Sequence, residues 1–229
     1  METMNIEQIV RDVILELSRA QDGIPAPESG DAIPVEMSAR HVHLSQADAL
    51  ALFGGPLTPV RELSQPGQYL CKERVRLIGP KGVMDNVAVL GPARDISQVE
   101  ISLTDARSLG LDVPIRQSGD VQGTPGILLS SGTKIVALDQ GVIVAGRHIH
   151  MSPEDARRLQ VRDRDLVSVQ MEGKRPAVFR DVLVRVHKDF RLALHIDADE
   201  ANGCGCGPGT LARIVKDPAR EADHDARIN

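Results

Sequence analysis

Two short segments carry the residue types best suited to chemistry. Residues 40–49 read RHVHLSQADA and residues 147–156 read RHIHMSPEDA. The pairs His41/His43 and His148/His150 therefore recur at an offset of 148 − 41 = 107 residues. In a strand, residues i and i+2 project from one face, so each His-x-His presents two imidazoles side by side. The intervening Val42 and Ile149 are β-branched, which favours the strand. Neutral imidazole is a good ligand for zinc and similar divalent ions. One His-x-His is weak evidence, because strand histidines are commonly half-buried polar residues. Two copies in matching contexts favour metal binding, and with it a metal-dependent enzyme.

A second, weaker match aligns EISLTDA from Glu100 with HIDADEA from His195, an offset of 195 − 100 = 95 residues. The difference of twelve reads as one insertion in the longer first half. Glu100 and His195 are thus candidates for further ligands. Four imidazoles exceed the three protein ligands of a typical catalytic zinc, which leaves room for two ions. His187 and His224 lie in polar surroundings outside either match and read as surface residues.

Other nucleophile and phosphate signatures are missing. There is no GxxxxGK[ST], no strand-linked GxGxxG and no GxSxG. Cys204 and Cys206 sit in NGCGCGPG, whose glycines say loop, and read as free thiols.

The elements that must hold these residues are mostly short strands. Runs such as RVRLIG, VMDNVAVLG, QVEISL, GVIVAG, DLVSVQM and RLALHID alternate with Gly, Pro and Asp turns, a pattern of barrels or sandwiches. Ser45 with Asp48, and Ser152 with Asp155, form the S-x-x-D start of a helix, and Pro153 suits its first position. Each half then reads strand, histidine pair, short helix, with the pair at the strand's end. The match suggests an internal duplication: one β-rich half over residues 35–140 and another over 141–217. Residues 1–20 read as an amphipathic helix with Ile6, Ile9, Val10, Val13, Ile14 and Leu17 on one face. Residues 21–34 read as a linker and 218–229 as a polar tail.

Composition narrows the partners. Among 229 residues aromatics are 2%, with no Trp, so the core must be aliphatic and platforms for stacking bases are lacking. A formal charge of −5 with no basic run argues against nucleic acid. Three cysteines suggest a reducing compartment, and neither a spanning helix nor a signal peptide is expected.

Taken together, SARHVHLS, KERVRLIGPKG, GPARDISQVEIS, SGDVQGTPG, AGRHIHMSPEDA and HIDADEANGCG resemble the PduL-type phosphotransacylases, or phosphate propanoyltransferases, from Val35 to about Lys216. The resemblance implies a mainly β fold of two β-barrel domains and a two-metal site, usually zinc. It implies exchange of an acyl group between coenzyme A and inorganic phosphate. Carried over by position, the metal ligands are His41, His43, Glu100, His148, His150 and His195. Arg94 matches the phosphate-contacting arginine, and Ser38, Ser118 and Asn202 match polar positions near coenzyme A. Members from bacterial microcompartments carry an N-terminal encapsulation helix, which residues 4–20 resemble. A location in the bacterial cytoplasm inside a microcompartment follows, with shell or core proteins as partners and a possible homo-oligomer. NGCGCG departs from the Ala-rich loop expected there. A metal-dependent thioesterase and a non-catalytic scaffold with a structural metal are the competing classes.

Overall fold

The computed structural model describes residues 31–215. The helix read over residues 1–20, most of the linker, His224 and the tail at 218–229 lie outside the described residues. From Ile33 onward the described residues form one compact unit.

Fifteen strands and four short helices follow in order: β1 (Ile33–Ser38), β2 (His41–Ser45), α1 (Gln46–Phe53), β3 (Pro59–Glu62), β4 (Tyr69–Ile78), β5 (Val83–Arg94), β6 (Gln98–Glu100), α2 (Leu103–Leu109), β7 (Ile115–Arg116), β8 (Ile127–Ser131), β9 (Lys134–Leu138), β10 (Val142–Ala145), β11 (His148–Met151), α3 (Pro153–Arg158), β12 (Leu166–Met171), β13 (Ala177–Val186), β14 (Ala193–Asp197), α4 (Ala198–Cys204) and β15 (Leu211–Val215). Six of the strands close a barrel in the order β1-β14-β11-β13-β12-β15. The others form a curled nine-stranded sheet, β7-β10-β6-β2-β5-β4-β8-β9, with β3 on the flank of β4. The expectation of two barrels therefore holds for one sheet only. In the other, β7 is just two residues long and does not meet β9 at the far edge, so that sheet stays open.

The sequence reading grouped β1 with the strands that follow it and placed β10 with the second half. In the structure β1 pairs in parallel with β14 and closes the barrel against β15, whereas β10 pairs with β6 and β7 in the open sheet. β1 also opens at Ile33, inside the stretch read as linker, and Ile33 is fully buried.

Each sheet has its own aliphatic core. Val42, Leu44, Val75, Leu77, Val89, Val99 and Leu129 fill one. Ile149, Met151, Val182, Val184, Leu194 and Ile196 fill the other. Burying each such side chain contributes roughly 1.5–3 kcal/mol against conformational entropy, which suffices without Trp. Hydrogen bonds among the described residues tie the sheets together, and the Ser64 hydroxyl beside β3 donates to Glu36 on β1. Gln65 donates to the Arg191 carbonyl at 3.0 Å and accepts from the Arg191 amide at 3.2 Å. The Thr104 amide in α2 donates to Asp199 in α4 at 2.8 Å.

Helix starts follow the S-x-x-D reading. Ser45 caps α1 and Ser152 caps α3, with Pro153 in the first turn and a full capping box to Asp155. Two helices lacked an expectation: α2, boxed by Ser102 and Asp105, and α4, boxed by Asp197 and Glu200. Part of the NGCGCG stretch is helical. Cys204 ends α4 fully buried, and Gly205 caps it at φ 63°, a left-handed position that suits glycine.

Candidate metal centre

The histidine pairs open their strands, where the sequence reading put them at the strand's end. Alternation decides which way they face. Val42 and Leu44 enter the core of the open sheet, so His41 and His43 lie on its other face. Ile149 and Met151 enter the barrel, so His148 and His150 lie on its outside. Both faces line one cavity of about 780 Å³ between the sheets.

Register brings in the third residue of each group. β2 runs antiparallel to β6 and sets His41 opposite Glu100; β11 runs antiparallel to β14 and sets His148 opposite His195. The candidate ligand atoms of His41, His43 and Glu100 lie within 4.8 Å of one another, as do those of His148, His150 and His195. The Glu100 carboxylate is 3.6 Å from His41 Nε2 and 3.8 Å from His43 Nε2. In the other group the ring centroids are 4.6, 5.1 and 4.8 Å apart.

The donor atoms fit a divalent ion. His41 Nδ1 is bonded to the Ala39 carbonyl at 2.8 Å and His148 Nδ1 to the Gly146 carbonyl at 2.9 Å, which leaves both Nε2 atoms for the site. His43 Nδ1, His150 Nδ1 and His195 Nε2 are buried with no hydrogen-bond partner among the described residues, a costly state unless something binds there. Ligand atoms around a zinc at 2.0–2.1 Å stand about 3.3 Å apart, so small side-chain adjustments close either group.

Electrostatics keeps the ligands in binding form. Burial pushes His43 down to about 3, helped by His41 and Arg94. Burial likewise pushes His148 and His195 down to about 4 and His150 to about 2. Burial opposes protonation of His41 as well, but the Glu100 carboxylate overrides it and holds this imidazole above its ordinary value. Burial alone would raise Glu100; His41, His43 and Ser118 instead hold it far below the usual carboxylate range.

Hydrogen bonds organise the first group. The Ser118 hydroxyl donates to Glu100 Oε1 at 2.9 Å and accepts from Arg94 at 3.1 Å. Gln98, which is 2% exposed, donates to Glu100 Oε1 at 2.6 Å and to Ser118 Oγ at 2.9 Å, and accepts from the Gly119 amide at 2.7 Å. Arg94 ends β5 and Glu100 ends β6, so a turn and not one extended strand brings them together. Arg94 Nη2 lies 2.9 Å from His43 Nε2. Ser38, at the end of β1, lines the cavity. Asn202 does not: it is exposed on α4. His187 is exposed as expected, 3.6 Å from Asp189.

Sequence reasoning missed several residues of the site. Gln98 shares a strand face with Glu100 two residues on, a signal that alternation offers. Glu36 sits on β1 opposite His195, with its carboxylate 3.8 Å from Nδ1. Arg185 and Phe190 also line the cavity, although nothing local marks them.

Two comparisons bear on this arrangement. A family model described as phosphate propanoyltransferase matches residues 34–207. A phosphate propanoyltransferase of Sebaldella termitidis is 50% identical over 94% of this chain and all of its own length. That of Leptotrichia buccalis is 52% identical over the same shares, 94% and 100%. The protein of that name from Salmonella typhimurium is 52% identical over 80% of this chain and 89% of its own. The chain belongs to the phosphate propanoyltransferase family.

Proposed function

We propose that this chain transfers a short acyl group, propanoyl first among candidates, between coenzyme A and inorganic phosphate at a two-metal centre. The convergence of two ligand groups with orphaned buried nitrogens on one cavity carries the reading of the site. Family membership supports the reaction. His41, His43 and Glu100 would hold one divalent ion and His148, His150 and His195 the other, zinc by the donor set. When bound, such ions supply Lewis acidity and a template for the phosphate and the thioester carbonyl.

The chain's own residues do the rest. Arg94, fixed by Ser118, presents a planar fork to the phosphate and relieves its charge. A phosphate oxygen attacks the thioester carbonyl carbon, the C–S bond breaks, and the proton of hydrogen phosphate passes to the departing thiolate, leaving acyl phosphate and coenzyme A. No acyl-enzyme is needed. Cys71 is fully buried with its thiol pushed up to about 11 by burial, and burial raises Cys204 as well, so neither is an activated nucleophile. Ser118 spends its proton on Glu100, so its role is to orient Glu100 and Arg94. Ser38 lines the cavity and can meet coenzyme A there; exposed Asn202 can meet it only where the substrate leaves the cavity.

Two further readings belong to this proposal. The two ligand groups share a strand grammar: β2 pairs in parallel with β5 and antiparallel with β6, as β11 does with β13 and β14. That likeness supports descent of the halves from one duplicated unit. The apolar spacing of residues 4–20 supports a docking helix for microcompartment shell or core proteins.

The deciding experiment follows free thiol from purified protein with several acyl-CoAs, with and without phosphate. Release that depends strictly on phosphate, with acyl phosphate as product, is expected. Thiol release without phosphate makes the protein a thioesterase instead.

A further inference from the structure

Four guanidinium groups line the cavity, against two carboxylates, Glu36 and Glu100. Most of these groups are already engaged. Arg40 is paired with Asp105 at 3.0 Å. Arg94 is bonded to Ser118 and His43. Glu100 is held by Ser118 and Gln98, and Glu36 receives the Ser64 hydroxyl. Arg61 is exposed on β3 at the rim. Neither the Arg61 nor the Arg185 side chain makes a hydrogen bond or ion pair among the described residues, and of the two only Arg185 is half-buried.

Its placement is determined by register. β13 runs parallel to β11 and sets Arg185 beside His150, while Val182 and Val184 on the alternate face enter the barrel core. The Arg185 guanidinium lies 5.9 Å from the Phe190 ring centroid, and that ring lies 4.2 Å from the His150 ring. A cation over an aromatic face keeps its position without a counterion. Phe190 thus acts as a shelf that holds the guanidinium at the histidine group. Arg94 on β5 and Arg185 on β13 line the same cavity, one from each sheet. A half-buried guanidinium that no carboxylate neutralises is a site for an anion.

We propose that Arg185 is the second arm of a phosphoryl clamp: its guanidinium and that of Arg94, one from each sheet, hold inorganic phosphate or the phosphoryl group of the acyl phosphate between them. This rests on the acyl transfer proposed above, but it concerns binding and can be tested apart from turnover. A dianion is the ligand that two planar donor forks suit best. The diphosphate of coenzyme A offers the same chemistry. It is disfavoured because Arg185 sits beside His150, at the reacting end of the site.

The test uses metal-loaded protein whose metal content is measured, with Arg185→Gln and Arg185→Lys variants. Inorganic phosphate binding is titrated by calorimetry in the absence of coenzyme A, and KM is measured separately for phosphate and for acyl-CoA. Arg185→Gln should weaken phosphate binding and raise its KM roughly ten- to a hundredfold. KM for acyl-CoA and the metal content should stay as in the wild type. Arg185→Lys keeps the charge without the fork and should fall between; it decides the matter alone if the glutamine variant does not fold. Unchanged phosphate affinity in either folded variant overturns the clamp, and a rise confined to the KM for acyl-CoA reassigns Arg185 to coenzyme A. If the wild type releases thiol without phosphate yet binds phosphate through Arg185, the transfer reading fails while the clamp stands.

Discussion

The two ligand groups are built by the same strand pairing but kept in order by different forces. His41, His43 and Glu100 include a carboxylate and are fastened by a polar web of Gln98, Ser118 and Arg94. His148, His150 and His195 are all imidazole; Phe190 packs on His150, and Ala193 stands opposite His150 where Gln98 stands opposite His43. An ion in the first group would lose part of its charge to Glu100, whereas one in the second would keep its full charge for an anionic substrate. Equivalent backbone positions are thus specialised by one residue and its neighbours.

The largest effects should come from the ligands. His41→Ala and His148→Ala should each lower kcat/KM by on the order of a thousandfold. Elemental analysis should find about two ions per chain in the wild type and about one in each variant. If either change removes both ions, the groups form one cooperative centre and the contrast drawn above is lost.

Arg94 comes next. Arg94→Ala should cost roughly ten- to a hundredfold in kcat/KM, expressed in the phosphate dependence, and Arg94→Lys should also be clearly impaired. Wild-type phosphate kinetics at saturating acyl-CoA would remove Arg94 from the clamp.

Acid should separate the groups in metal-free protein. His148, His150 and His195 ordinarily titrate near 6.5, but folded they resist protonation down to about 4, 2 and 4. Between those values the unfolded chain binds more protons, so their contribution to stability is present above about 6.5 and is lost as pH falls. In the first group His43 behaves the same way. His41, raised by Glu100, does the reverse: its contribution is present below about 6.5 and is lost as pH rises through its folded value. Thermal unfolding of chelator-treated protein between pH 7 and 5 should therefore lose less with acid in a His150→Gln variant than in the parent. A His41→Gln variant should lose more. Equal slopes would mean that the two groups titrate alike.

A smaller effect is expected from Gln98→Leu, which removes support from Glu100. It should weaken metal binding at the first group roughly tenfold to a hundredfold and leave the second unchanged. Smallest of all, removing residues 1–30 should leave acyl transfer at its full rate, whereas a cut that reaches Ile33 should destabilise the barrel.

The sequence brought out most of the candidate metal centre and less of what surrounds it. His-x-His was legible because strand alternation is local, Glu100 and His195 because the segments that hold them match each other, and the helix caps at Ser45 and Ser152 because their signal spans four residues. Ser102 with Asp105 and Asp197 with Glu200 carried equivalent signals, but the helices they start are only seven residues long, too short for periodicity to show. Arg185 could not be found locally, since only pairing of β13 with β11 brings it to the site. The exchange of β1 and β10 between sheets is likewise a matter of long-range pairing, as is the failure of one sheet to close.

That exchange has a consequence for synthesis on the ribosome. β1 emerges first of the described strands, yet its partners β14 and β15 emerge last, with Ile33 paired to Ala212. The open sheet, β2 to β10, can assemble while the barrel still lacks its closing partners. The earliest strand must meanwhile wait, unpaired and apolar, for nearly the whole chain. Nascent protein should therefore acquire protease resistance in two stages, and the second should come only after β15 has cleared the exit tunnel.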